Sequence, residues 1–199
     1  MSSPNVHPKF TVTRDQLRVA FNEHEALGER QRRVSFGVTR TADLTEPGQE
    51  GFPPQLSVVF MPPIAQAAVE GYRFGFDRRK GIPDNRNAEE NRIVDDIIAH
   101  LNEISFRVFV EPTQDRTVDV PAVDFVLISN AGEQIQPNTA PTSLIFEGRD
   151  VVAAAALAER GLALAFPLFS GGPVLTDDMT QFTLVVRAGG DDQELIFPL

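Results

Sequence analysis

Phe182-Thr-Leu-Val-Val-Arg187, then Gly189-Gly-Asp-Asp192, then Glu194-Leu-Ile-Phe-Pro-Leu199 stand in succession at the C-terminal side of the sequence. Two runs rich in β-branched and aromatic residues, parted by glycines and aspartates suited to a tight reversal, predict a β-hairpin. The same period-two alternation recurs upstream. Leu162, Leu164, Phe166 and Leu168 alternate with Ala and Pro, and Ser170-Gly-Gly-Pro173 closes the segment. Phe106, Val108 and Val110 alternate, Val118 to Ser129 reads as one or two strands interrupted by Pro121, and Asn130-Ala-Gly132 suits a turn. Ser143 to Phe146 reads as a further short strand.

Toward the N-terminus, Val34, Phe36 and Val38 alternate with Ser35, Gly37 and Thr39, and Gln55 to Met61 reads as a buried strand ended by Pro62-Pro63. Tyr72, Phe74 and Phe76 then predict another strand with three aromatics on one face, matching the inside of a sandwich. Together these segments predict a mainly β fold: an antiparallel β-sandwich or jelly roll of about eight to ten strands with two or three peripheral helices, with α+β as the alternative.

Helices are marked by their ends. Thr13-Arg-Asp-Gln16 fits a capping box, Leu17, Ala20, Phe21 and His24 recur at helical spacing, and Gly28 suits the left-handed C′ position, giving a helix from Arg14 to Leu27. Asn87-Ala-Glu-Glu90 looks like a second start, with Ile93, Ile97, Leu101 and Ile104 following and His100 near the negative end of the helix dipole. Asp150 caps a third helix over Val151 to Arg160, stopped by Gly161, unless the Val-Val-Ala run makes a strand. The expected organisation is a single domain over 1–199. An N-terminal arm and helix (1–30) pack on a sandwich (31–199), with a helical insertion near 87–104.

Composition narrows the chemistry. Sixteen arginines and only two lysines, Lys9 and Lys80, face twenty-eight carboxylates, with a net charge of -10, no cysteine, no tryptophan and three histidines. That balance disfavours unaided binding to nucleic acid or anionic membrane, which needs a positive stripe to displace counterions. No disulfide can form, and no apolar run approaches the roughly 18 residues of a membrane span. The first residues lack the positive and apolar regions of a signal peptide, so the expectation is a cytoplasmically made protein, incorporated into a particle if it assembles. The preference for arginine fits a GC-rich or a salt-loving host.

Local motifs add little chemistry. His24-Glu25 opens a zinc-protease pattern, but Gly28 stands where the second histidine belongs. His7, His24 and His100 are too far apart in sequence to form a close-spaced ligand pair. Asp84, Asn85, Asn87 and Glu89-Glu90, with the pairs Asp177-Asp178 and Asp191-Asp192, supply oxygens without calcium-loop spacing and read as turns or caps. Ser170 lacks a nucleophile-elbow context, and Gly71 and Gly75 do not form a phosphate loop. Asp95-Asp96 with Glu103 would serve a two-carboxylate hydrolase only by folding together. Arg78-Arg-Lys80 and Arg30 with Arg32-Arg33 are the basic clusters, read as solvated rims or as grips for an acidic neighbour.

No catalytic, cofactor-binding or metal-binding residue is assigned from sequence, and the chain is expected not to be an enzyme. The leading expectation is a structural subunit of a multi-copy assembly such as a virion, tail, shell or surface layer. Its partners would be copies of itself or other subunits, and its terminal strand would offer an edge to a neighbour. The alternative is a binding module. There the sandwich encloses an apolar ligand in a cavity lined by phenylalanine, or the loops Thr45 to Pro54 and Asp77 to Asn87 form rims. A carboxylate-dependent hydrolase is third.

Overall fold

Residues 5–30, 36–44, 55–81, 85–111, 123–140, 162–188 and 191–199 are described by the structure, a computed structural model. Among them lie strands β1 (Val38–Asp43), β2 (Gln55–Phe60), β3 (Glu103–Glu111), β4 (Val123–Ile128), β5 (Gln134–Ile135), β6 (Leu162–Pro167), β7 (Gln181–Ala188) and β8 (Asp191–Pro198). They form two four-stranded antiparallel sheets, ordered β1-β2-β3-β6 and β5-β4-β7-β8. The fold is therefore the expected sandwich, and the quoted C-terminal segments are its β7–β8 hairpin, with Phe182 opposite Phe197 and Leu184 opposite Leu195.

Register explains the core. Phe60 pairs with Phe106 across β2 and β3, and because side chains alternate along each strand, every second residue turns inward. Phe60, Phe106 and Phe166 from one sheet meet Phe182 and Phe197 from the other. Ring centroids lie 5.0 Å apart for Phe60–Phe182 and 5.5 Å for Phe106–Phe197, both edge-to-face, the geometry that ring quadrupoles favour. Phe10, on a 3₁₀ turn over Pro8–Phe10, adds a sixth ring 6.2 Å from Phe60. These phenylalanines are buried against one another. At this end the sandwich interior is packed with aromatic rings.

The two sheets are laced along both seams. At one, Arg40 Nε donates to the Ile196 carbonyl at 2.7 Å, and the Asp43 N–H donates to Gln193 Oε1 at 3.0 Å. At the other, Ala165 and Thr139 exchange backbone hydrogen bonds of 2.8 and 3.2 Å. Side-chain hydrogen bonds from β1 and β8 thereby bridge the two strands around Gln193–Ile196.

Among the described residues, three helices form a layer of their own: α1 (Arg14–Glu29), α2 (Pro63–Arg79) and α3 (Arg86–Ala99). The α1 start is as predicted, for Gln16 Oε1 accepts the Thr13 N–H at 2.8 Å and Thr13 Oγ1 accepts the Gln16 N–H at 3.3 Å. Helix α3 also lies where the isoleucine spacing placed it, burying Ile93 and Ile97. It ends at Ala99, however, and Ile104 belongs to β3 and to the sandwich core. The His100–Asn102 turn intervenes, so the last interval of the predicted periodicity ran across a helix end.

Tyr72, Phe74 and Phe76 are not a strand. They lie on α2, whose first residue, Pro63, suits the opening turn because its missing N–H would have had no helical partner there. Helix α2 is held against α1 by its small residues. A Cβ on Gly71 would lie 2.1 Å from the Phe21 carbonyl oxygen, and one on Gly75 2.1 Å from that of Glu25. Gly28 mirrors this from α1, where a Cβ would lie 2.0 Å from the Tyr72 carbonyl oxygen. Gly28 is consequently inside the helix and at the contact, not at C′; the residue after the helix is Arg30. Leu17, Ala20, Phe21, Ala67, Ile93, Val94 and Ile97 make a second core distinct from that of the sandwich. The predicted strand Ser143–Phe146 and helix Val151–Arg160 lie outside the described residues, as do Val34 and Pro121.

Candidate binding groove

Between the 3₁₀ turn, α1 and the start of α2 runs a groove of about 490 Å³, within the usual range of roughly 300–1,000 Å³ for small-molecule sites. Ile64, Ala65 and Ala68 of α2 form one wall, and Val12, Gln16 and His24 stand on the α1 side. Pro8, Lys9 and Thr11 close one end. Phe36 and Gly37 complete it, with Gly37 at φ 68° where a Cβ would strike the Phe60 carbonyl oxygen at 2.2 Å. Only a glycine lets the chain lie this close to β2 while turning into β1.

The lining is mostly apolar, and Ile64 is 38% exposed at its edge. Among the described residues, its titratable groups are Lys9 and His24, and no carboxylate lines it. The His24 ring lies 5.6 Å from Phe36, which packs edge-on against Tyr72 at 5.4 Å. Its Nδ1 sits 2.8 Å from the Ala20 carbonyl oxygen. A carbonyl only accepts, so Nδ1 carries the proton in this bond.

Next to the groove, the N-terminal arm is stitched to the sandwich. The His7 N–H donates to the Leu175 carbonyl and the Asp177 N–H to that of Asn5, both at 3.0 Å. His7 Nδ1 accepts the Lys9 N–H at 3.2 Å and so caps the 3₁₀ turn. Burial and then the Lys9 charge push His7 below the usual imidazole range, against an opposing pull from Asp177. His100, by contrast, is raised, first by its bond to the Asp96 carbonyl and then, against a burial cost, by Glu103 and Asp96.

The three histidines therefore have separate settings. The acidic clusters are similarly accounted for by local partners: Glu89 by Arg92, which holds it below the usual carboxylate range, Asp178 by the Thr176 hydroxyl, and Asp192 by Arg187 at 3.3 Å. Asp84 lies outside the described residues.

The basic clusters are drawn inward as well. Arg78 reaches Glu25 at 3.1 Å and Glu29 at 3.4 Å, and Lys80 sits 4.3 Å from the centre of the Phe76 ring. Glu25 is buried and is held again by Arg86 at 2.9 Å. Arg86 also reaches Glu90, and Glu90 in turn lies 3.6 Å from Arg18. Burial works against the Arg86 charge, but Glu25 and Glu90 outweigh it and hold the proton more firmly than usual. This network ties the three helices together, with each of these charges facing an opposite one. Arg32 and Arg33 lie outside the described residues.

Sequence reading did not find the groove, since its walls come from four separated segments. Lys9, one of two lysines and close to His7, was the available pointer. Compared with protein-family models, with curated protein sequences and with solved structures, the chain matches none. No helix among the described residues is long and apolar enough to cross a membrane.

Proposed function

We propose that the protein is a binding module whose site is the groove between the 3₁₀ turn, α1 and α2. One observation carries the reading: in a chain with twenty-eight carboxylates, an apolar depression of ligand size has none among its described lining residues. Water is displaced most favourably from such a surface, and an acidic protein that keeps carboxylates away from it preserves that advantage. The site is a surface groove, outside the aromatic interior of the sandwich.

The test is titration with the dye anilinonaphthalenesulfonate, followed by fluorescence and by amide chemical shifts. Saturable binding with shifts at Ile64, Ala65 and His24 is expected, and Ala65→Phe, which fills the groove, should abolish it. Binding that Ala65→Phe leaves unchanged would sink the reading.

The assembly subunit is kept as a second reading on a different observation. Phe169 is 55% exposed on the turn before Gly171 and Gly172, an arrangement suited to inserting one ring into a second copy. The measurement is sedimentation over a wide concentration range: a larger species that Phe169→Ser dissociates supports assembly, and a monomer throughout removes it.

A further inference from the structure

We infer that Met179 is an oxidation site, at which a peroxide loosens the N-terminal arm from the sandwich. The chain has no cysteine and no tryptophan, so its three methionines, Met1, Met61 and Met179, are its most readily oxidised side chains. Met1 lies outside the described residues. Met61 is buried at 5% exposure, whereas Met179 packs against the sandwich core yet stays half-buried, with part of its surface in solvent. Its sulfur also holds a turn together. The Met179 N–H donates to the Thr176 carbonyl at 3.1 Å, and the Thr176 N–H donates back to Met179 Sδ at 3.4 Å. Thr176 is 2% exposed, so water reaches that N–H only if the turn opens. The arm docks on this same residue. Val6 forms a β-bridge with Thr176, and the two arm bonds, His7 N–H to the Leu175 carbonyl and Asp177 N–H to the Asn5 carbonyl, flank it on either side.

The step is a two-electron oxidation. A sulfur lone pair attacks one oxygen of hydrogen peroxide, the S–O bond forms as the O–O bond breaks, and the second oxygen takes the proton released by the first and leaves as water. The side chain changes from apolar to polar. The new oxygen has no room toward Thr176, because an N–H···O bond needs roughly 2.9 Å between nitrogen and oxygen alone, and here sulfur and nitrogen are 3.4 Å apart. Either the turn widens to admit it, or the oxygen points away and the buried N–H faces a sulfur that now carries positive charge. Both displace Thr176 from its place between the arm bonds. The arm continues into Pro8 and Lys9 at one end of the groove, but the oxidation does not depend on what the groove binds.

The full chain treated with hydrogen peroxide at neutral pH, then followed by peptide mass spectrometry and amide hydrogen exchange, tests this. Met179 is expected to oxidise several times faster than Met61. The amides of His7 and Asp177 should then exchange about tenfold faster, as the loss of one net hydrogen bond implies, while that of Leu184 in the middle of β7 is unchanged. Reduction by a methionine sulfoxide reductase should restore the slow exchange. In Met179→Leu, peroxide should leave exchange at His7 and Asp177 where it was before treatment. Met61 oxidising as fast as Met179, an oxidised Met179 with His7 and Asp177 still protected, or a peroxide response at those amides in Met179→Leu overturns the inference.

Discussion

A methyl group at position 71 or 75 would have to displace a backbone carbonyl rather than a flexible side chain. Gly71→Ala and Gly75→Ala should thus destabilise the protein by about 1 to 3 kcal/mol in urea unfolding, even after the roughly 1 kcal/mol that alanine gains in a helix interior. Gly172→Ala, where a Cβ meets nothing within 4 Å, should change stability by less than about 0.5 kcal/mol. The histidines allow a second prediction at this scale.

In an NMR pH titration, His7 should titrate below and His100 above the ordinary imidazole value. With its folded value raised, the stabilisation from His100 is complete below the unfolded value and disappears as pH rises through the folded one. His100→Gln should therefore cost more at pH 5.5 than at pH 8.5, by no more than about 1 kcal/mol at so exposed a helix end. His7 has the opposite sign: its neutral ring caps the 3₁₀ turn, and that contribution is lost as pH falls through its lowered value.

The elements differ in how plainly their residues announced them. The α1 start was legible because a capping box is local, and the β7–β8 hairpin because both its strands and its turn are contiguous. Helix α2 was not. Its alternating Tyr72, Phe74 and Phe76 imitate a strand, and glycine weakens a helix considered alone. The opposing indication lay in Ala67, Gly71 and Gly75, small residues one helical turn apart, which acquire meaning only when α1 lies on them. Its aromatics flank that contact, Phe74 packing 5.9 Å from Phe21 and Tyr72 on Phe36. The groove was hidden for a similar reason, since no single element contains it.

Besides close packing, Glu25 is one of the groups that join the helices. Glu25→Gln should lower stability by about 2 kcal/mol in urea unfolding, because it weakens bonds to two guanidinium groups around a buried position. The combined Glu25→Gln, Arg86→Gln variant should lose less than the sum of the two single changes.

Over the whole molecule, the mainly β architecture was readable from the period-two segments, while the manner in which the sheets close was not. The lacing at Arg40–Ile196 and Thr139–Ala165 joins residues far apart in sequence. Phe106 touches four other rings, those of Phe60, Phe166, Phe182 and Phe197. Phe106→Ala should accordingly cost about 3 to 5 kcal/mol in urea unfolding, more than any surface change proposed here.

The separation of the two cores has a practical corollary. The chain has one tyrosine, fifteen phenylalanines and no tryptophan, and Tyr72 belongs to the helical layer while the ring cluster belongs to the sandwich. Tyrosine emission then follows the helices, and the fine structure of near-ultraviolet phenylalanine dichroism is weighted toward the sheets. A single melt read at both wavelengths distinguishes one cooperative unit from two. The protein carries, in its own aromatic inventory, separate optical labels for its two halves.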